Sequence, residues 1–388
     1  MKKITFTLVT AMLGASLCFS ACAKPSDKKD NKKPTNTATE KSAVQTKLDA
    51  LKPVAYSSLD GLVLEPGSYI SIIGRFSDDS YWKEVEEGAK KAVADLNTTL
   101  GYKGNDKIKL NYSAPEIRDD VNEQINILDE ELARYPIAIG IAAIDTTACT
   151  IQFDLASENG IPIITFDSGS DYQKVGSHIS TDNLSATKTA ATQLAHLIED
   201  SGEIAVIAQD SISMTAKQRS QGFVDTITSE FPNISVVTVY HMDELLTMQQ
   251  TIATEKNSTL AAGEEQIVAE NISQEDVITY ILEKNPNLKG IYATNLDTTQ
   301  LVAGVLKKLQ RTDLKFVGFD GGAEQMELLK DGTLNGLISQ NPFAMGYATV
   351  IASIRVSLGL GNESFVDSGF TWVTPENMDT KDIKKMLY

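Results

Sequence analysis

Three observations predict that this chain is an α/β protein with two doubly wound parallel sheets. From residue 69 onward, strand-like runs alternate with amphipathic helical stretches, the order that builds right-handed βαβ units. Most of the runs are continuously apolar rather than alternating, as parallel strands covered on both faces are. A motif also occurs twice. Ile163-Ile164-Thr165-Phe166-Asp167-Ser168-Gly169 and Phe316-Val317-Gly318-Phe319-Asp320-Gly321-Gly322 both read strand, Phe, Asp, small residue, Gly. The copies lie about half the globular chain apart, so one sheet in each half is expected, with an acid at a strand's carboxyl end.

Taken in order, the strands are expected at 69–74, 108–112, 137–142, 161–166, 203–208, 234–240, 290–294, 315–319 and 336–339. The first long helix, 80–100, sets Trp82, Val85, Ala89, Val93 and Leu96 on one face. Residues 247–274 break the alternation. A helix over 246–256 and one over 273–284 flank loop-like Asn257-Ser258-Thr259 and Gly263-Glu264-Glu265. This reads as an insertion or enlarged crossover on the surface of the second lobe. The division follows: lobe 1 from 68–178 plus 341–367, lobe 2 from 179–340 plus 368–375, and a tail over 376–388.

Ahead of the lobes, Lys2 and Lys3 precede a short uncharged run over residues 4–17, with Ser20 and Ala21 before Cys22. That is the pattern of a secretory signal peptide over 1–21, too short for a dependable membrane span. Phe19-Ser20-Ala21-Cys22 resembles a bacterial lipobox, which would lipidate Cys22; the alternative is an ordinary signal peptide with a stray cysteine. Residues 22–67 then read as anchor and tether, because the Lys-, Asp-, Asn- and Thr-rich stretch up to about Lys47 lacks the apolar surface that ordering requires.

The formal net charge is −17, and losing Lys2 and Lys3 on cleavage takes it to −19. An acidic exported chain is a poor nucleic-acid ligand, since phosphate contacts need clustered Lys and Arg. A mature chain with only Cys22 and Cys149 has no disulfide framework, and Cys149 reads as a small core residue. The three histidines, His178, His196 and His241, show no metal spacing. No nucleophile elbow, phosphate loop or dinucleotide fingerprint is present. No metal, cofactor or catalytic residue is therefore expected.

What the chain offers instead is polar and aromatic residues at strand ends, where open α/β sheets bind ligands. Asp79, Tyr81 and Trp82 follow the first strand, Asp167 the fourth, and Asn295 the run 290–294, while Asp320 and Gln340 close theirs. Carboxylates and amides that pair with hydroxyls, beside flat aromatic faces, suit a sugar. Tyr81 and Trp82 could equally be the core face of their helix, and the two acids could be simple Asp-Gly-type turns.

The string from Phe316 to Tyr347 resembles the end of the ribose-binding, type I periplasmic binding protein family, and the resemblance covers about 68–374. Gly160-Ile161-Pro162 leading into Asp167 resembles the family's strand into its first ligand acid. Ser177-His178-Ile179-Ser180-Thr181-Asp182-Asn183 is similar to its first hinge crossing. Lys217-Gln218-Arg219-Ser220-Gln221-Gly222-Phe223 resembles its R-x-R-x-x-G-F helix start, and Ala293-Thr294-Asn295 its ligand-bearing strand end.

The resemblance implies a two-lobed, three-crossing fold with crossings near 178–181, 340–342 and 369–371. It also implies a non-enzymatic, monomeric lipoprotein on the outer face of the cytoplasmic membrane, delivering a small ligand to an ABC permease. Its ligand shell would be Asp79, Tyr81, Trp82, Asp167, Ser168, Lys217, Asn295, Asp320 and Gln340. The chain departs from ribose binders at Ser168 and Lys217, where they carry Arg, and at Asp79, where they carry Asn. Losing two guanidinium forks argues against ribose itself. Three acids against Lys217 argue for a neutral polyol or an amine-bearing ligand rather than an anion. Handing the liganded form to a receptor, a repressor-type effector domain and a secreted enzyme are the other classes considered.

Overall fold

The computed structural model describes residues 41–261 and 263–388; the expected signal peptide, Cys22 and the start of the expected tether lie outside them. Among the described residues, no helix is long and apolar enough to cross a membrane.

The first sheet has the order β11-β5-β4-β3-β1-β2. It comprises β1 (Tyr69–Ile73), β2 (Lys109–Ser113), β3 (Ala138–Ile141), β4 (Ile163–Phe166), β5 (His178–Ser180) and β11 (Phe365–Asp367), all parallel. The second has the order β12-β10-β9-β8-β6-β7. Its members are β6 (Gly202–Ala208), β7 (Ile234–His241), β8 (Leu288–Ala293), β9 (Lys315–Phe319), β10 (Gly336–Gln340) and β12 (Phe370–Val373). Only β12 runs antiparallel, against β10. The nine strands expected from apolar runs are present. The three-residue β5 and β11 and the terminal β12 are too short to stand out as such runs.

Helices cover both faces of each sheet, which is why the inner strands are largely apolar, whereas edge strands β2 and β7 are partly exposed. Over the first sheet, α2 (Ser80–Leu100) and α11 (Pro342–Ser357) share one face with α1 (Ala43–Asp49). On its other face, α3 (Val121–Leu132) and α4 (Thr150–Glu158) enclose Ile73, Leu128, Phe153 and Cys149. Burial pushes the Cys149 thiol up to about 12. Over the second sheet, α5 (Asn183–Leu197) and α6 (Met214–Glu230) pack opposite α7 (Leu245–Ser258), α8 (Gln274–Lys284), α9 (Leu296–Lys308) and α10 (Ala323–Lys330). The tightest packing is α2 on α11. A Cβ on Gly88 would sit 2.0 Å from Phe343 O, and one on Gly346 1.9 Å from Val85 O. Only glycine lets these two backbones touch.

Residues 247–274 are α7, a loop and the start of α8. Asn257 pins the loop by accepting from Ile267 N at 2.7 Å and donating to Ile267 O at 2.9 Å. Ile252, Ala253 and Ile272 are buried in the second core, so the crossover is built into the lobe.

Three boundaries differ from expectation. The ordered region begins well before residue 68: Leu48, Leu51, Tyr56, Leu62 and Leu64 are buried in the first core, and Tyr56 Oη accepts from Glu363 N at 2.7 Å. These scattered apolar residues show no strand or helix period across the whole stretch, so composition hid them. The first lobe extends past His178, because Ile179 pairs with Phe166 and Val366 inside the first sheet. The segment 376–388 is not a trailing tail, since Met378 and Met386 are buried and α12 (Lys381–Lys384) lies between them.

The chain passes between sheets after Ser180, after Gln340 and after Asp367, and the three passages are tied together. Ser368 N donates to Ser180 O at 2.9 Å, and Asn341 Nδ2 to Ser368 O at 2.9 Å. Thr181 Oγ1 donates to Gln340 Oε1 at 2.8 Å.

Candidate ligand-binding cleft

The duplicated motif ends in the same backbone geometry twice. Asp167, just past β4, has φ 54°, and Asp320, just past β9, has φ 73°. Aspartate tolerates this left-handed conformation better than most residues, at some cost, and such strain concentrates at functional sites. The turn bends each carboxylate away from its strand and into one cavity of about 40 Å³ between the lobes.

Each acid is held by specific donors. Tyr81 Oη donates to Asp167 Oδ1 at 2.6 Å. Asp320 Oδ2 accepts from Leu296 N at 2.8 Å, and its Oδ1 accepts from Gln340 Nε2 at 2.7 Å. The acids are only 6% and 5% exposed, so burial raises both carboxyls above their usual range. The Arg219 guanidinium opposes that rise in each. Arg219 lies 3.9 Å over the Phe319 ring. It donates to Asn183 Oδ1 at 2.8 Å, Thr294 O at 3.0 Å and Gln340 Oε1 at 3.0 Å. Gln340 is thus oriented by acceptance on one end and donation on the other.

Helix starts supply the rest of the wall. Asp79 caps α2, accepting from Trp82 N at 2.8 Å on Oδ1 and from Arg118 at 3.0 Å on Oδ2. Burial raises its carboxyl, against the α2 amide and Arg118. Asn295 caps α9 in the same way, accepting from Thr298 N at 3.0 Å. Tyr81 and Trp82 are buried and meet edge-on at 5.1 Å, and Trp82 continues edge-on to Phe166 at 6.3 Å. They belong to the first core and to the cleft wall at once.

Seven of the nine expected site residues therefore line one cavity: Asp79, Tyr81, Trp82, Asp167, Asn295, Asp320 and Gln340. Two do not. Lys217 is solvent-exposed on α6, about half a turn round the helix from inward-facing Arg219. Ser168 is buried behind Asp167, with its hydroxyl outside the lining. Sequence reasoning missed Arg75, Arg118 and Gln209, which sit on loops without periodicity. Arg219 was visible in its motif but carried no assigned role.

These residues also join the lobes. Gln209 Nε2 donates to Asp119 Oδ2 at 2.9 Å, Arg75 approaches Asp210 at 3.4 Å, and Arg118 approaches Asp297 at 3.4 Å. The lining carries four acids, Asp79, Asp119, Asp167 and Asp320, against three guanidiniums, Arg75, Arg118 and Arg219. Asp210 and Asp297, paired with Arg75 and Arg118, add two more acids beside the lining, so the site is acid-rich. Among the described residues no group of acids, histidines or cysteines could hold a metal ion.

Larger hollows lie elsewhere. One of about 610 Å³ opens at the amino ends of the first sheet's strands, and one of about 570 Å³ lies along α2 and β2. Neither gathers buried charges, so size does not locate the site here; convergent polar chemistry does.

Comparison with known proteins shows the family. Residues 70–359 match the family described as periplasmic binding protein domain, and the chain belongs to it. The chain is similar to the ribose import binding protein of Escherichia coli (strain K12), 21% identical over 293 residues that cover 75% of this chain and 85% of that protein. It is also similar to the D-apiose import binding protein of Actinobacillus succinogenes, 26% identical over 271 residues, 69% of this chain and 73% of that one. Among solved structures, a carbohydrate transporter solute binding protein from Agrobacterium radiobacter in complex with D-arabinose superposes with a TM-score of 0.68. It is 28% identical, covering 83% of this chain and 99% of that one.

Proposed function

We propose that this member of the periplasmic binding protein family captures one small neutral sugar or polyol between its lobes and delivers it to an ABC permease. The observation that carries the reading is the pair of left-handed acids, Asp167 and Asp320, facing one cavity from opposite lobes. A polyhydroxylated ring can donate to both carboxylates at once while Tyr81 and Trp82 cover an apolar face. The sugars named for the similar import proteins support the same class.

Mechanistically, a ligand that touches Asp79, Asp167 and the second-lobe trio Asn295, Asp320 and Gln340 has contacts in the closed arrangement that an open one lacks. It therefore shifts the population toward closure. The three tied passages at Thr181, Asn341 and Ser368 serve as the hinge. In this reading the leader is cleaved before Cys22, and lipid on Cys22 anchors the monomer outside the cytoplasmic membrane.

The test is a thermal-shift screen of the purified protein against sugars, polyols, nucleosides and amines. A ligand bound only by the native state adds about 2.7 kcal/mol of stability at a hundredfold excess over its Kd. A shift with a neutral sugar is expected. Silence across the sugars with a shift from an amine would overturn the ligand class and leave the fold untouched. Metabolic labelling with a radioactive fatty acid should mark the wild type and not Cys22→Ser.

A further inference from the structure

Residues 374–388 turn back onto the cleft. Met378 is buried in the second core, with Ile383 and Leu387 packed against it, and Met386 is buried as well. This footing brings Tyr388 to the Asp320–Gly321 turn. Its hydroxyl accepts from Gly321 N at 3.0 Å and donates to Asp320 Oδ1 at 3.2 Å. Its ring meets that of Tyr81, from the first lobe, edge-on at 5.7 Å. Tyr81 in turn donates to Asp167. Each of the two cleft acids thus carries one tyrosine hydroxyl, and the two rings touch between the lobes.

We propose that Tyr388 is a positioning and size-selecting residue of the ligand site, the second lobe's counterpart of Tyr81. The proposal rests on the sugar-capture reading above. A carboxylate offers about four lone-pair sites. Leu296 N, Gln340 Nε2 and the Tyr388 hydroxyl occupy three on Asp320, which leaves one for a ligand hydroxyl. The ring is the second part of the device. Fixed to the second lobe and stopped against Tyr81, a rigid phenol sets how closely the lobes approach, and so how large a ring the cleft accepts. Removing it frees an acceptor on Asp320 and opens space beside it, both of which favour a ligand with one more hydroxylated carbon.

The experiment measures, by calorimetry, the affinities of two pentoses (D-ribose, D-arabinose) and two hexoses (D-glucose, D-galactose) for wild type, Tyr388→Ala and Tyr388→Phe. Tyr388→Ala should move the hexose-to-pentose affinity ratio toward hexoses by at least about tenfold, the lower end of what one carbon's fit decides in a shaped pocket. Tyr388→Phe, which keeps the ring but frees the acceptor on Asp320 and leaves Gly321 N without its partner, should weaken both classes and move the ratio toward hexoses by less than Tyr388→Ala. Equal weakening of all four sugars in Tyr388→Ala would mean a merely structural role and overturn the proposal. If the wild type binds none of the four, the wider screen decides on the sugar reading, and the lobe spacing decides on Tyr388 separately. Spin labels at exposed Ile151 and Leu246 should then report a changed interlobe distance distribution in Tyr388→Ala. An unchanged distribution would sink the proposal.

Discussion

Replacing Asp320 by Asn tests the cleft with the least change in shape. The carboxylate accepts from Leu296 N on one oxygen and from Gln340 and Tyr388 on the other. An amide has one carbonyl oxygen, so its NH2 must face either the Leu296 amide or the Gln340 amide, donor against donor. The ligand also loses an ionised acceptor, and a hydrogen bond to a charged group is worth about 1.5–3 kcal/mol. With the remaining oxygen drawn to the protein donors, the loss should reach about 3 kcal/mol, on the order of a hundredfold in Kd. Stability should change less. Burial raises the Asp320 carboxyl, against Arg219 and Gln340, so its ionised form already costs the folded state, and a neutral amide returns part of what the lost bonds take away. For an acid raised in this way the sign is fixed. Its favourable contribution is complete below the ordinary value near 3.8 and is lost as pH rises through the raised one. Asp320→Asn should therefore unfold with a shallower loss of stability above pH 4 than wild type. Titration calorimetry reads the affinity, and denaturation at several pH values reads the stability. A folded Asp320→Asn that binds its ligand as tightly as wild type would refute the assignment.

Three further outcomes follow from the geometry. Burial pushes the His178 imidazole down from 6.5 to about 4, so its contribution is present above pH 6.5 and lost as pH falls toward 4. The residue is only part-buried, so that contribution is about 1–3 kcal/mol; denaturation of His178→Asn should lose this acid-side slope, and an unchanged slope would reject it. Lys217→Ala should bind ligand like wild type because its side chain is exposed, whereas Arg219→Lys, which loses the fork that orients Gln340, should weaken binding at least about tenfold; equal effects in calorimetry would reverse that distinction. Gly346→Ala sets a methyl 1.9 Å from Val85 O and should cost about 2–4 kcal/mol by forcing α2 and α11 apart, so a melting temperature equal to wild type would show that the helices can yield.

Most of the architecture was legible because parallel strands covered on both faces must be continuously apolar, and that signal survives without structure. The two acids were legible for a different reason: strand, Phe, Asp, small, Gly occurs twice, and repetition at equivalent strand ends is hard to produce by turn chemistry alone. What stayed hidden depends on contacts between segments remote in sequence. Tyr56, buried in the first core, accepts from Glu363 N, some three hundred residues on. Arg75 and Gln209 sit on loops whose only pattern is where the lobes bring them. The Lys217 expectation failed on helical phase. A motif aligned by position put it in the ligand shell, yet α6 turns Arg219, two residues later, toward Gln340 and leaves Lys217 in water.

The cleft residues also explain why such a site cannot be dissected by truncation alone. Asp79 and Asn295 cap the helices that carry the wall, and Gln340 is bonded to Asp320, Arg219 and the passage residue Thr181. Alanine at any of these removes a ligand contact and a structural bond together, and leaves a buried partner unsatisfied at about 1–3 kcal/mol. Loss of binding in such a variant is therefore ambiguous between a missing contact and a disordered wall. Double-mutant cycles resolve it, because a wall effect couples Gln340 to Arg219 with or without ligand, whereas a contact effect appears only with ligand bound. Thr181 is the sharpest case. It touches no ligand position, yet its hydroxyl ties a passage between the lobes to Gln340 in the site, so Thr181→Val should alter closure and affinity together while leaving the order of preferred ligands unchanged.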